Sequence, residues 1–249
     1  RWLARPRPRV FALTRLWISP GEYFFLKLFG HTACSLSMAS GTGLLDQHRR
    51  QWDPQLLDVL GLTPQVLSRL CEPGETFQGL TAPYRDRIPA LAHIPWFPAL
   101  GDGACSNVGC GCTGPRRVAV MVGTSGAMRL LCEGTPPAVP PGLWSYRLDE
   151  RRALVGGALS NGGNLLMWLQ ESLRLPPPEE LNRLLQEAEP DAHGLTVLPF
   201  LAGERSPGWA SEATGAIAGL RLHTSAVDIV QACLEAVAYR FYGIFSRLE

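Results

Sequence analysis

Two stretches of the chain carry residues suited to catalysis. One is a carboxylate set between glycines, Gly101-Asp102-Gly103, and the other is a glycine and hydroxyl turn, Gly123-Thr124-Ser125-Gly126. A carboxylate of this kind can accept a proton from a substrate hydroxyl. A turn rich in Gly, Thr and Ser at a strand end can present backbone N–H groups to phosphate oxygens. Together they point to phosphoryl transfer from a nucleotide to an alcohol. A third place of interest is the small-residue run 156–164, which leads into a helix. Helix starts attract anions, because unpaired N–H groups and the helix dipole both point there. Close packing of helix on sheet explains the same glycines equally well.

The elements around these residues can be read from pattern. An apolar run over 94–100 ends at Gly101, and an apolar-to-small segment then leads to a strand over 118–122. Residues 144–148 and 153–157 read as a strand pair, 165–173 and 178–188 as helices, and 195–198 as a strand running into the loop 199–207. The last helix starts at Ser225, with Val227, Val230, Leu234, Val237 and Phe241 as its apolar stripe. Nearer the start, residues 7–30 read as helical, broken at Ser19-Pro20-Gly21-Glu22, where Ser19 is an N-cap and Pro20 the first helical residue. A helix from Pro54 ends at Gly61, and a short one is expected over 64–70. The connector 72–92 includes a short strand over 76–80, and 133–142 is a Pro-rich loop. In the run 35–46 small residues dominate, which fits either a tight packing corner or the close approach of a ligand. Strands alternating with helices argue an α/β fold.

Composition narrows the function classes. The 249 residues suffice for one large domain or two ordinary ones, and 46% hydrophobic content is that of a globular protein. With 23 basic and 22 acidic residues the net charge is +1, so neither nucleic acid nor a membrane surface is expected as a partner. The arginines near the start, Arg1 to Arg15, read as a solvated face. No apolar run reaches the roughly 18 residues of a membrane span. Seven cysteines are an odd number, and the cluster Cys105, Cys110, Cys112 lacks further ligands at zinc spacing, so no metal site is expected. Reduced thiols in a cytoplasm fit best. There is no P-loop, and Gly123-Thr124-Ser125-Gly126-Ala127 misses the nucleophile elbow of hydrolases at its last residue.

The chain resembles the FGGY carbohydrate kinases, most of all their gluconokinase branch. Gly215-Ala216-Ile217-Ala218-Gly219-Leu220, followed seven residues later by the segment 228–235, is similar to the family's C-terminal signature. Cys233 departs from it, standing where a small or β-branched residue is usual. Residues 1–5 resemble the tail of the N-terminal signature. Gly101-Asp102-Gly103-Ala104 is similar to the catalytic Asp segment, and Gly123-Thr124-Ser125-Gly126 to the second phosphate turn. Residues 37–43, 156–164 and 199–207 resemble gluconokinase segments.

The resemblance implies an actin-like, ribonuclease-H-like ATPase fold of two domains, each incomplete in this chain. Residues 1–114 are then the end of the first, sugar-binding domain, and residues 115–249 the start of the second, nucleotide-binding one. It implies a sugar or sugar acid as substrate, with gluconate converted to 6-phosphogluconate, and ATP with Mg2+ as cofactors. Sugar would bind mainly to the first domain and Mg-ATP between the two. Asp102 would be the general base. Gly123 and Thr124 would contact ATP phosphates, and Gly163 would lie near the nucleotide. Other expectations are a xylulose, glycerol or ribulose kinase, and a non-catalytic binding module of actin-like fold. A homo-oligomer is compatible with any of them. The family's first phosphate loop, of Asp-x-Gly-Thr type, and its later Gly-Gly segment are not in these residues. Both ends therefore read as cut, and the chain by itself is not expected to turn over.

Overall fold

A computed structural model of the chain describes residues 2–71, 74–134 and 138–249. Arg1 of the N-terminal signature, residues 72–73 of the connector and the centre of the Pro-rich loop, 135–137, lie outside the described residues. The chain forms two compact units. The first takes residues 1–111, 132–135 and 146–154, and the second takes 112–131, 136–145 and 155–249.

The first unit opens with α1 (Pro8–Leu13), α2 (Pro20–Phe29) and α3 (Leu36–Gly41). The expected break at Ser19 is there, as a full capping box. Glu22 N–H donates to Ser19 Oγ, and Ser19 N–H donates to Glu22 Oε2. Before it the helix is shorter than expected, because Trp17 leaves helical geometry to pair with Leu67 in a parallel bridge. The ladder β1 (Leu45–Asp46) and β2 (Gln51–Trp52) follows, then α4 (Pro54–Leu60), which Asp53 caps. Gly30 and Gly61 close α2 and α4 in left-handed geometry, as their sequence positions predict.

Three local expectations fail here. Residues 64–70 give only a short 3-10 turn, Pro64–Val66, since Leu67 and Leu70 are drawn into bridges with Trp17 and Cys34. The strand over 76–80 reduces to one bridge, Phe77 with Trp96. The connector also forms a helix that pattern did not show, α5 (Ala82–Arg87). Phe25, Phe29, Cys71, Phe77 and Leu80 make one core cluster, and Cys34, Leu36, Ala39 and Leu45 another. The unit's last helix is α6 (Asp102–Gly109).

The second unit is built on strands β3 (Val118–Val122), β4 (Gly126–Glu133), β5 (Trp144–Arg147) and β6 (Arg152–Leu159), in the sheet order β3-β4-β6-β5. Three of these strands run at one end into residues grouped with the first unit. β3 and β4 are antiparallel, with Val118 opposite Leu130 and Val122 opposite Gly126. The expected turn at 123–126 is therefore a hairpin turn, and β4 is a strand with no counterpart among the expected elements. Helices α7 (Gly163–Ser172) and α8 (Pro178–Glu187) follow, then the short pair β7 (Thr196–Leu198) and β8 (Ala216–Ala218), and the long α9 (Ala226–Leu248).

Met128 and Leu159 of the sheet, Leu165 and Leu169 of α7, and Val230, Cys233, Val237, Phe241 and Ile244 of α9 form one core. The stripe on α9 is thus turned slightly from the expected one. Cys233 is buried in it, and Leu234 is exposed. A small apolar side chain is what that packed position requires. Among the described residues no helix is long and apolar enough to cross a membrane.

Candidate active site

Asp102 is the first residue of α6, not part of an open connecting segment. Its side chain is exposed, and its Oδ1 accepts the Gly103 N–H at 2.6 Å. The N-cap before it, Gly101, has no side chain to hold the helix start. That start is held from outside instead. Gly101 N–H donates to Ser37 Oγ at 3.0 Å, and Ser35 Oγ donates to the Ala99 carbonyl at 2.6 Å. Both serines are buried at the beginning of α3. Ser35 is also the N-cap of α3, accepting the Met38 N–H at 3.1 Å, and Ser40 Oγ donates to the Ser37 carbonyl at 2.9 Å. The start of α3 is a packing corner that holds the chain at Ala99 and Gly101, just before Asp102.

In the second unit the structure brings Gly123, Thr124 and Gly163 together. Gly163 N–H donates to the Gly123 carbonyl at 2.7 Å, and Asn164 N–H to the Thr124 carbonyl at 3.1 Å. Asn164 also accepts the Gly162 N–H on Oδ1 at 2.9 Å and donates to the Ser160 carbonyl at 3.2 Å. The two backbones touch. A β-carbon built on Gly163 would stand 2.8 Å from Gly123 O, and one on Gly162 would stand 2.9 Å from Ser125 O. These glycines therefore serve close packing. The amides of Gly163 and Asn164 are spent on the carbonyls of Gly123 and Thr124. The open side is the turn itself. Gly123 and Thr124 are exposed, and a β-carbon on Gly123 would meet nothing within 4 Å.

Behind the end of β6 lies the loop after β7. Ser206, fully buried, donates its N–H to the Ala158 carbonyl at 2.9 Å and accepts the Ala158 N–H on Oγ at 3.1 Å. Asn161 accepts the Ala202 N–H at 3.1 Å and donates to the Gly203 carbonyl at 3.2 Å. Arg240 of α9 pairs with Glu204 and lies over the Phe200 ring, 5.2 Å from its centroid. Trp209 Nε1 donates to the Gly142 carbonyl at 2.8 Å. The sequence marked this loop but not its anchors, whose partners are distant in the chain.

Two further clusters carry titratable or soft ligands. Cys105 and Cys110 are exposed and Cys112 half-buried, none of them in a disulfide. Asp191, His193 and Glu235 have ligand atoms within 4.8 Å of one another. Their contacts are mutual. Leu195 N–H donates to His193 Nδ1 at 3.0 Å, which leaves Nε2 as the donor toward Glu235 Oε2 at 3.2 Å. Glu235 also accepts from Gln231 Nε2 at 2.8 Å and from the Asp191 N–H at 3.2 Å. Burial alone pushes this carboxyl up, but the three donors outweigh it and hold it below the usual carboxylate range.

Comparison with known proteins gives these features a family. Residues 1–109 match the N-terminal domain of the FGGY family of carbohydrate kinases, and residues 118–249 match its C-terminal domain. A gluconokinase of Bacillus subtilis (strain 168) is 29% identical over 258 aligned residues, covering 99% of this chain and 50% of that protein. Two solved structures from Lactobacillus acidophilus, each 28% identical, superpose over 99% of the chain and 51% of their own. They are a ligand-bound xylulose kinase at TM-score 0.91 and a gluconate kinase at 0.90. The fold is that of the actin-like, ribonuclease-H-like ATPases. Within that class the chain belongs to the FGGY family of carbohydrate kinases. It spans about half the length of the relatives it matches.

Proposed function

We propose that this chain is part of an ATP-dependent kinase that phosphorylates a sugar-acid hydroxyl, with gluconate going to 6-phosphogluconate. Residues 1–114 are the closing part of the sugar-binding domain, and 115–249 the opening part of the nucleotide-binding domain. The observation that carries the reading is the Gly123-Thr124 turn, open on its outer side and fixed from behind by the amides of Gly163 and Asn164. A phosphate has room there, and the turn's backbone is already in place to receive it. Gly123 and Thr124 contact the ATP phosphates. Gly163 acts from behind, by holding the turn. Mg2+ bound with ATP neutralises phosphate charge.

Asp102 accepts the proton of the attacking hydroxyl as that oxygen bonds to the γ-phosphorus of ATP and the bond from that phosphorus to the bridging oxygen breaks, releasing ADP. Its exposed position at the first turn of α6 leaves the carboxylate accessible to a substrate. Sugar, or sugar acid, and ATP are the partners, and the cytoplasm is the compartment. The seven cysteines, none of them in a disulfide, support that compartment. Similarity to the Bacillus gluconokinase supports gluconate. The near-equal superposition on a xylulose kinase favours a pentulose as the second reading.

The test is an ATP-coupled screen of the full-length protein over gluconate, xylulose, glycerol and ribulose, repeated with Asp102→Asn. The expected result is turnover of gluconate, and a kcat lower by ~10²–10⁴-fold in the variant with nucleotide binding intact. Near-normal kcat in Asp102→Asn removes Asp102 as the base. A wild-type protein that binds ATP and phosphorylates none of the four is the outcome a non-catalytic module would give.

A further inference from the structure

The residue that aims the proposed base is not in its own segment. Asp102 follows an N-cap that carries no side chain, so no capping side chain of its own segment holds the start of α6. The Gly101 N–H donates to Ser37 Oγ, 64 residues earlier in the chain, at 3.0 Å. The contact is tight from the side-chain direction as well, since a β-carbon on Gly101 would stand 3.2 Å from that oxygen. Ser37 is 5% exposed, and its own carbonyl is tied by Ser40. Two residues further back, Ser35 holds Ala99 through a second bond. The backbone is thus fixed at 99 and 101, immediately before Asp102, by two hydroxyls of one short helix.

We infer that Ser37 is a positioning residue for Asp102, setting the backbone from which the carboxylate projects; this rests on the reading of Asp102 as the general base. Removing the hydroxyl leaves the Gly101 N–H without its acceptor. The helix start then shifts to find another, and the carboxylate moves with it. A displacement of about 1 Å at a reacting group costs on the order of 10²-fold in rate. Binding of the nucleotide, whose proposed contacts are in the second unit, is unaffected.

The experiment uses the full-length protein with Ser37→Ala, Gly101→Ala, the double variant and Asp102→Asn, measured side by side for kcat, sugar KM and equilibrium ATP binding. Ser37→Ala is expected to lose about 10- to 100-fold in kcat with ATP affinity within about twofold of wild type. Gly101→Ala presses on the same contact from the other side and is expected to lower kcat too. In the double variant the two losses are expected to be less than additive, as for residues in direct contact. If Asp102→Asn is inactive while Ser37→Ala and Gly101→Ala keep wild-type kcat, the positioning role is overturned and the base stands. If Asp102→Asn itself turns over normally, the base reading fails first. Should Ser37→Ala not fold, Gly101→Ala decides alone, and unchanged kcat there overturns the inference. A purely structural serine would lower the melting temperature and leave kcat of the folded enzyme unchanged.

Discussion

Substituting the glycines on the two sides of the β3–β4 turn by alanine separates support of the turn from ligand contact. In Gly163→Ala the added methyl would lie 2.8 Å from the Gly123 carbonyl oxygen, closer than side-chain carbons approach backbone oxygens in proteins. The helix and the turn must move apart, stretching the 2.7 Å bond between Gly163 N–H and that oxygen. Overpacking of this kind costs about 1–3 kcal/mol. At roughly 2–4 °C per kcal/mol for a cooperative unit of 150–250 residues, the melting temperature falls by roughly 2–12 °C. Gly123→Ala is the contrasting case. Its methyl meets nothing within 4 Å, so stability should hold. It does, however, fill the open side of the turn where the phosphate is proposed to sit. The same cost, about 1–3 kcal/mol, then falls on binding and weakens ATP by roughly 5- to 150-fold in Kd. Differential scanning calorimetry and ATP titration of the full-length protein read both effects. Wild-type ATP affinity in Gly123→Ala would refute the phosphate assignment. An unchanged melting temperature in Gly163→Ala would refute the claim that backbone contact holds the turn.

Two predictions concern titration and thiol chemistry. The folded-state pKa of Glu235 is lowered by Gln231, the Asp191 amide and His193 acting against burial. The unfolded chain therefore binds more protons as pH falls through the ordinary carboxylate range, and the stability Glu235 contributes is present above that range and lost below it. Urea midpoints from pH 7 down to 3 should fall less steeply in Glu235→Gln than in wild type, and parallel curves would remove Glu235 as a contributor. For the cysteines, burial pushes Cys34 up to about 12 and Cys71 and Cys233 to about 11, while Cys105 and Cys110 are exposed. At pH 8 an aromatic disulfide reagent should label Cys105 and Cys110 in the native protein and reach the other three only on unfolding. Rapid native labelling of Cys233, read by peptide mass, would contradict its place in the core.

What could be read from sequence was what local chemistry dictates. Ser19, Pro20 and Glu22 announce a helix start because Ser19 and Glu22 satisfy each other's backbone N–H groups and Pro20, at the first helical position, needs no partner. Gly30 and Gly61 announce helix ends because left-handed backbone favours glycine. Helix α6 escaped because Asp-Gly-Ala-Cys-Ser-Asn-Val-Gly shows no apolar period; its one buried polar side chain, Asn107, carries no sequence signal for a helix. The expected helix over 64–70 has the right residues but loses them to bridges with Trp17 and Cys34, partners no local window contains. The site shows the same split. Asp102, Gly123, Thr124 and Gly163 stand out by type and neighbours. Ser37 and Asn161 do not, since what makes them matter is a bond to a residue more than forty positions away.

The loop after β7 has a consequence for how the protein can vary. Surface connections usually absorb insertions and deletions, because little else depends on their length. Between Leu198 and Trp209 the chain is tied to β6 through Ser206, to the approach to α7 through Asn161, to α9 through Glu204 and Arg240, and to Gly142 through Trp209. Losing one residue there would slip these ties against each other, as a register shift does in a sheet. By length tolerance this segment ranks with the strands, and engineered insertions belong elsewhere, for instance at the exposed residues that precede Ser225.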